Sequence, residues 1–224
     1  MLSGDFETAV VSDLAAIEAM GDALKGSDKP FVTTSGTMML LAADLDRPGT
    51  ELDAMEAGPR IDAENTVIAL ADEGVRSSVV RLPPTVHSDL DHHGFVPALI
   101  GFAREKGMAG YVGDGANRWP AGHTLDAARL YRLALESARP GTRLHAIGDG
   151  GVPFREIADL IGRKLGVESV SIAEEDRDGY FTFLSRFVGA DNPASSDLTR
   201  EWLGWEPSHP GLIEDLEEGH YFEE

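Results

Sequence analysis

The sequence predicts an α/β fold, a parallel β-sheet with helices packed on its faces. Three observations point there. Short strand-like runs recur at residues 31–35, 75–82, 111–112 and 143–147, the second rich in β-branched residues. Stretches with apolar residues at helical spacing lie between them, and glycine or proline stands at most of the boundaries.

Residues 5–24 place Phe6, Val10, Leu14, Ile17 and Leu24 near helical spacing, with Ala9, Ala16, Ala19 and Ala23 as a small-residue strip. This predicts a helix with two usable faces. Gly26 and Pro30 end it, and a strand over 31–35 closes at Gly36. From 42 to 59 Asp, Gly, Pro and Glu predominate, which predicts a surface loop of a length that often carries function. A helix over 60–72 stops at Gly74, and the strand 75–82 ends at the Pro83-Pro84 pair. Helices over 95–106, 125–137 and 153–165 follow, the last with Pro153 in its first turn and Gly166 past its end. Gly113-Asp114-Gly115 and the stretch 148–151 are read as turns, where glycine pairs are commonest. Tyr180, Phe181, Phe183 and Phe187 predict one apolar helix face that lines or caps a lobe.

The 224 residues suffice for one substantial core, or one core plus a small lobe. There is no apolar run of membrane-spanning length, no secretory pattern at the N-terminus and no cysteine, so a cytoplasmic protein without disulfides or thiolate metal sites is expected. The 19 basic against 39 acidic side chains give a net charge of −20, which disfavours nucleic acid and anionic membranes as partners. The densest titratable stretch, residues 87–93, is read as a polar solvent-exposed loop and not as a metal site, with His87 set apart.

Four segments, in order, resemble the NAD(P)-dependent epimerase/dehydratase family of extended short-chain dehydrogenases/reductases. Phe31-Val32-Thr33-Thr34-Ser35-Gly36-Thr37 is similar to the strand ending in the catalytic Ser/Thr. Val79-Val80-Arg81-Leu82-Pro83-Pro84-Thr85-Val86-His87 resembles the R-P-x-x-V-Y-G turn, whose backbone lies against the nicotinamide. Gly113 to Trp119, followed by His123 to Ala128, resembles G-D-G-x-x-x-W/R…V-H-V-x-D-x-A, and Leu203-Gly204-Trp205-Glu206-Pro207 resembles the closing L-G-W-x-P element.

The resemblance implies a Rossmann-type parallel sheet without its first βαβαβ half, joined to a smaller C-terminal mixed α/β substrate lobe. It places the partial core at 1–94, with 125–150 returning to it, and mainly the substrate lobe at 95–224. The implied function is oxidoreduction at a carbonyl or hydroxyl of a small metabolite with NAD or NADP, or binding of a nucleotide or metabolite without catalysis. No G-x-G-x-x-G occurs after a strand to approach a pyrophosphate. Thr34, Pro83, Pro84 and Val86 are the implied cofactor contacts; Thr37, Arg118, Trp119 and His123 are the implied substrate contacts. Trp119 in a core and His123 near the Thr124 helix cap is the equally open alternative.

The family places a tyrosine, and a lysine one helical turn later, in the helix after the Ser35 strand; Arg60 and Glu64 stand there. Arginine does not deprotonate. Arg60 can bind an anion or polarise a carbonyl, and at i, i+4 it is expected to pair with Glu64 on the surface. Ser35, Arg60 and His87 are the catalytic candidates, His87 because its imidazole occupies the turn's tyrosine position. The helices 5–24 and 60–72 correspond to the family's dimer contact, so a homodimer is expected.

Overall fold

A computed structural model describes residues 3–223. Helix α1 spans Ser3–Leu24 and strand β1 Pro30–Gly36; a 3-10 helix at Thr37–Ala43 and an irregular loop lead to α2 at Ile61–Ala69. Then come β2 (Arg76–Leu82), β3 (Thr85–His87), α3 (Phe95–Lys106), β4 (Met108–Val112), β5 (Arg118–His123) and α4 (Thr124–Ser137). The remainder is β6 (Thr142–His145), β7 (Asp149–Pro153), α5 (Phe154–Leu165), β8 (Glu168–Ile172), α6 (Arg177–Phe181), α7 (Asp197–Leu203) and α8 (Leu212–Glu218). This is an α/β fold with parallel sheets.

The chain divides into two units. The first holds the segment ending at Leu82, Ala128–Ala146 and Ser195–Glu206; the second holds Pro83–Ala127, Ile147–Ala194 and the segment from Pro207 onward. The sequence reading drew its line after residue 94; the structure draws it between Leu82 and Pro83, where consecutive prolines end the strand.

In the first unit β1, β2 and β6 form a parallel sheet in the order β1-β2-β6. Thr33, Val79 and Arg143 lie abreast, as do Ser35, Arg81 and His145. Because strand side chains alternate, these six share one face. Ile17 of α1 and Ala63 and Val67 of α2 pack with Val79 over that face, flanked by Leu14, Phe31 and Ile68. Fully burying a side chain such as Val67 contributes about 1.5–3 kcal/mol. Elsewhere on α1 Phe6, Val11 and Met20 are exposed.

In the second unit β3 pairs parallel with β5, β5 pairs antiparallel with β7, and β4 pairs parallel with β8. The turn expected at 148–151 is corrected to a strand: Asp149 to Pro153 pair with β5. Glycines suit it because a Cβ on Gly151 would sit 3.2 Å from the Arg118 Cβ and 3.3 Å from the Pro193 Cβ. Strand β5 lacked a period-2 signature because Pro120 interrupts it, and its register shifts between Trp119 and Ala121. Pro153 is the N-cap of α5, one position before its expected place. The expected aromatic helix face is broken: α6 stops at Phe181, a 3-10 turn follows at Thr182–Leu184, and Phe183 is exposed while Phe181 is buried. Tyr180 instead ties β4, donating to the Met108 carbonyl at 2.6 Å and accepting from the Gly110 N–H at 2.9 Å.

Candidate functional site

At the C-terminal ends of β1, β2 and β6 the first unit gathers Ser35, Arg81 and His145 on the face covered by α2. Glu64, on the first turns of α2, projects into it. Its Oε1 accepts from Arg81 Nη2 at 2.5 Å and from Arg143 Nε at 2.6 Å, and its Oε2 accepts from Arg81 Nε at 3.1 Å. Burial alone would push the Glu64 carboxyl up. The Arg81 guanidinium, with help from Ser35 and Arg143, holds it down at about 2. The Ser35 hydroxyl is buried without a well-formed hydrogen bond, yet lies close enough to favour the charged carboxylate.

The network runs on to the long loop. Arg81 Nη1 donates to the Asp53 carbonyl at 2.8 Å, and Arg143 Nη2 donates to Asn65 Oδ1 at 2.8 Å, whose amide in turn holds the Met55 and Glu56 carbonyls. His145 has a fixed tautomer. Its Nδ1 lies 2.7 Å from the Ser195 carbonyl, which can only accept, so Nδ1 carries the proton and Nε2 accepts from Arg81 Nη1 at 3.3 Å. Burial, then the Arg81 charge, lowers His145 to about 4, so the ring is neutral near pH 7. Glu51 Oε1 receives the Thr199 N–H and hydroxyl at 2.7 and 2.6 Å, and Thr199 Oγ1 accepts from the His145 N–H.

On the opposite face of β1 the exposed Thr34 pairs its hydroxyl with Tyr131 of α4 at 2.6 Å. Arg60 caps the start of α2 in a left-handed conformation, φ 65°. Its Nη2 donates to the Thr34 carbonyl at 3.2 Å and its Nη1 lies 3.4 Å from Asp13. The expected Arg60–Glu64 surface pair is therefore corrected: Arg60 reaches α1 and the end of β1, while Glu64 turns inward to Arg81 and Arg143.

The second unit brings His87 and His123 abreast on β3 and β5, ring centroids 5.5 Å apart. His87 Nδ1 is 2.8 Å from Asp215 Oδ2, and its Nε2 is buried without a partner. His123 stacks on His209 at 4.4 Å, and burial, then His209, lowers its pKa. Asp126, the acidic residue of the D-x-A segment, accepts from the N–H groups of Ser208 and His209, both at 3.0 Å. Burial would raise its carboxyl, but these donors and the His209 side chain hold it below the usual range.

Of the sequence-predicted residues, Thr34, Ser35, Thr37 and Arg60 fall in the first unit; Pro83, Pro84, Val86, His87, Arg118, Trp119 and His123 fall in the second. Thr37 is fully buried, opening the 3-10 helix. Val86 and Pro84 are half-buried and Pro83 is buried. Arg118 makes a two-point pair with Asp191 at 2.7 and 3.0 Å. Trp119 is fully buried, edge-on to Phe154 at 4.9 Å and beside Phe95, within the core of its unit. His87 and Ser88 are buried, in contrast to the exposed Asp89, Leu90, His92 and His93, so the exposed-loop reading of 87–93 is corrected for Ser88.

The sequence reading missed the roles of Arg81, Arg143, His145, Tyr131 and Asp215. For Arg81 there was a signal: a cation between Val80 and Leu82 in a strand buried on both sides must find a buried anion.

No family model matches the chain. Two curated relatives do. The uncharacterized protein C2A9.02 of Schizosaccharomyces pombe is 43% identical over 97% of this chain and 73% of its own length; the uncharacterized protein YLL056C of Saccharomyces cerevisiae is 41% identical over 95% and 71%. Among solved structures, the dTDP-glucose 4,6-dehydratase DesIV of Streptomyces venezuelae, with NAD bound, aligns at TM-score 0.68 and 21% identity over 95% of this chain. The chain spans 65% of the length of DesIV. The NAD complex of dTDP-glucose 4,6-dehydratase from Bacillus anthracis aligns at TM-score 0.70 and 16% identity, over 94% of this chain and 67% of that one. The chain belongs to the family of the two yeast proteins, and its fold is that of the NAD-dependent epimerases and dehydratases.

Proposed function

We propose that the chain is part of a nicotinamide-dinucleotide-dependent oxidoreductase of epimerase/dehydratase type, acting on a carbonyl or hydroxyl of a small metabolite. The observation that carries this reading is the C-terminal end of β1. There Thr34 is exposed with its hydroxyl shared with Tyr131, the Ser35 hydroxyl is buried on the other face without a well-formed hydrogen bond, and the Arg60 guanidinium is anchored on the Thr34 carbonyl. Open parallel sheets bind ligands outside the carboxyl ends of their strands.

In the first unit Thr34 offers a hydroxyl to the nicotinamide end of such a cofactor; Pro83, Pro84 and Val86 are carried as cofactor candidates on the resemblance alone. The chain carries no fingerprint glycines for the pyrophosphate. When bound, the nicotinamide supplies the hydride donor or acceptor. Arg60 stays charged throughout and stabilises negative charge on a substrate oxygen. His87 is carried as the proton-handling candidate on the resemblance; in its own unit Asp215 fixes the ring at Nδ1, and Nε2 is buried without a partner. Arg118 and His123 of the second unit are carried as substrate-side residues on the resemblance, whereas Thr37 and Trp119 are fully buried in their own units.

Fluorescence titration of NADH and NADPH into this chain and into each full-length yeast relative tests the proposal. Saturable binding by at least one supports it; no binding by any of them removes it.

A non-catalytic nucleotide- or metabolite-binding protein is the second reading. Glu64, at the position of the family's lysine, is committed to a buried ion network and cannot serve a reacting group. Turnover of any carbonyl substrate by the unmodified protein would refute it. We also infer a homodimer through α1, on which Phe6, Val11 and Met20 are exposed. A monomer mass by light scattering overturns that inference.

A further inference from the structure

Asp215, Glu218 and His220 bracket the end of α8. Gly219 takes φ 95°, a left-handed turn that glycine makes without strain, and it turns His220 back beside the helix. One donor atom from each of the three side chains lies within 4.8 Å of the others.

The surroundings of these donors are incomplete. The Asp215 side chain is 3% exposed, and its Oδ2 lies 2.8 Å from His87 Nδ1 and 3.9 Å from His220 Nε2. The second distance is too long for a hydrogen bond. His220 Nε2 is nevertheless closed off from solvent and has no partner. A buried imidazole nitrogen facing a buried carboxylate, with no proton shared between them, is costly unless a third group joins them.

We propose that Asp215, Glu218 and His220 bind a divalent first-row transition cation of the zinc type, with His87 orienting Asp215 from behind. Donors around such an ion, at about 2.0–2.2 Å each and tetrahedrally placed, sit about 3.3–3.6 Å apart, so the exposed Glu218 side chain needs to close by about an ångström, within the reach of a rotamer change. An imidazole nitrogen with two carboxylates suits zinc or cobalt better than magnesium or calcium, which prefer oxygen throughout. The two carboxylates balance the ion's charge, and the carbonyl end of α8 adds negative potential. A carboxylate that binds a metal and accepts from a histidine N–H is a familiar outer-shell arrangement. Three protein ligands leave a position for water or a substrate oxygen. The site stands independently of cofactor binding.

The test uses the whole 224-residue chain, stripped by chelator and titrated calorimetrically with Zn2+, with Co2+ followed by its visible absorption. One-to-one binding is expected, with Co2+ bands typical of mixed nitrogen and oxygen donors. Glu218→Gln and His220→Ala should each weaken binding at least about tenfold, while His93→Ala, in the exposed loop, should leave it unchanged. Circular dichroism and urea midpoints verify that the variants fold. Affinity weaker than about 1 mM, or binding that survives His220→Ala, or binding lost in His93→Ala, overturns the proposal.

Discussion

Glu64 and Arg81 form a two-point ion pair inside the first unit, Oε1 to Nη2 at 2.5 Å and Oε2 to Nε at 3.1 Å, with side chains 4% and 1% exposed. Arg143 closes on the same carboxylate, and Arg81 passes the connection to the Asp53 carbonyl and to His145. The pair joins α2 to β2 and, through Asp53, pins the long loop to the end of the sheet.

Removing the carboxylate leaves the buried Arg81 guanidinium beside the part-buried one of Arg143 with no anion between them. Glu64→Ala should therefore cost about 3–5 kcal/mol of unfolding free energy, the usual effect of orphaning a buried charge. Urea denaturation measures it. A loss below about 1 kcal/mol would show that the network carries no net stability.

Restoring the family's acid–base pair should fail for a structural reason. Arg60→Tyr alone gives up only a half-exposed ion pair with Asp13 and one bond to the Thr34 carbonyl, and should stay within about 1 kcal/mol of the parent. Adding Glu64→Lys puts a third cation among Arg81 and Arg143. The double variant should unfold or aggregate on purification. A folded, monodisperse double variant would contradict this account of Glu64.

Acid should weaken the first unit in two steps. His145 titrates at about 4 when folded against 6.5 for its ordinary value, so the unfolded chain takes up its proton first. The stability from the neutral ring is complete above about pH 6.5 and is lost as pH falls to about 4, near 1.4 kcal/mol per pH unit for a single group. Glu64, held at about 2 against 4.5, contributes above about pH 4.5 and is lost as pH falls through 2. Urea midpoints should drop between pH 7 and 4, and His145→Asn, which can still donate to the Ser195 carbonyl, should flatten that upper step. An unchanged slope in His145→Asn would remove His145 as its source.

Trp119 separates packing from binding. Its indole is fully buried and its N–H has no partner. Trp119→Phe should cost below about 1.5 kcal/mol, since it deletes an unsatisfied donor, whereas Trp119→Ala should cost about 3–5 kcal/mol. A Phe variant as damaged as the Ala variant would mean the N–H is used.

Local periodicity and punctuation were enough to find most elements. Leu14 and Ile17 announced the first helix, and Gly74 and the Pro83-Pro84 pair marked real boundaries. Strands β5 and β7 escaped because their signals are not local: Pro120 breaks one, glycines fill the other, and each is a strand only through its partner. Thr34, Ser35 and Arg60 were named as candidates from motif and spacing; they lie near one strand end, Thr34 and Ser35 on opposite faces of β1.

The sequence by itself determined most of the helices and the strands β1, β2, β4 and β6, the net negative charge and the absence of thiol chemistry, because these depend on composition and on neighbours a few residues apart. Tertiary structure alone decided which charges meet. Spacing of i, i+4 allowed Glu64 to pair with Arg60, but α2 packs with Glu64 over β2, where desolvation and two guanidinium groups outweigh a surface contact. Asp215 reaches His87 across 128 residues of chain. No local pattern encodes that approach, since it exists only once the strands and helices of the second unit have packed.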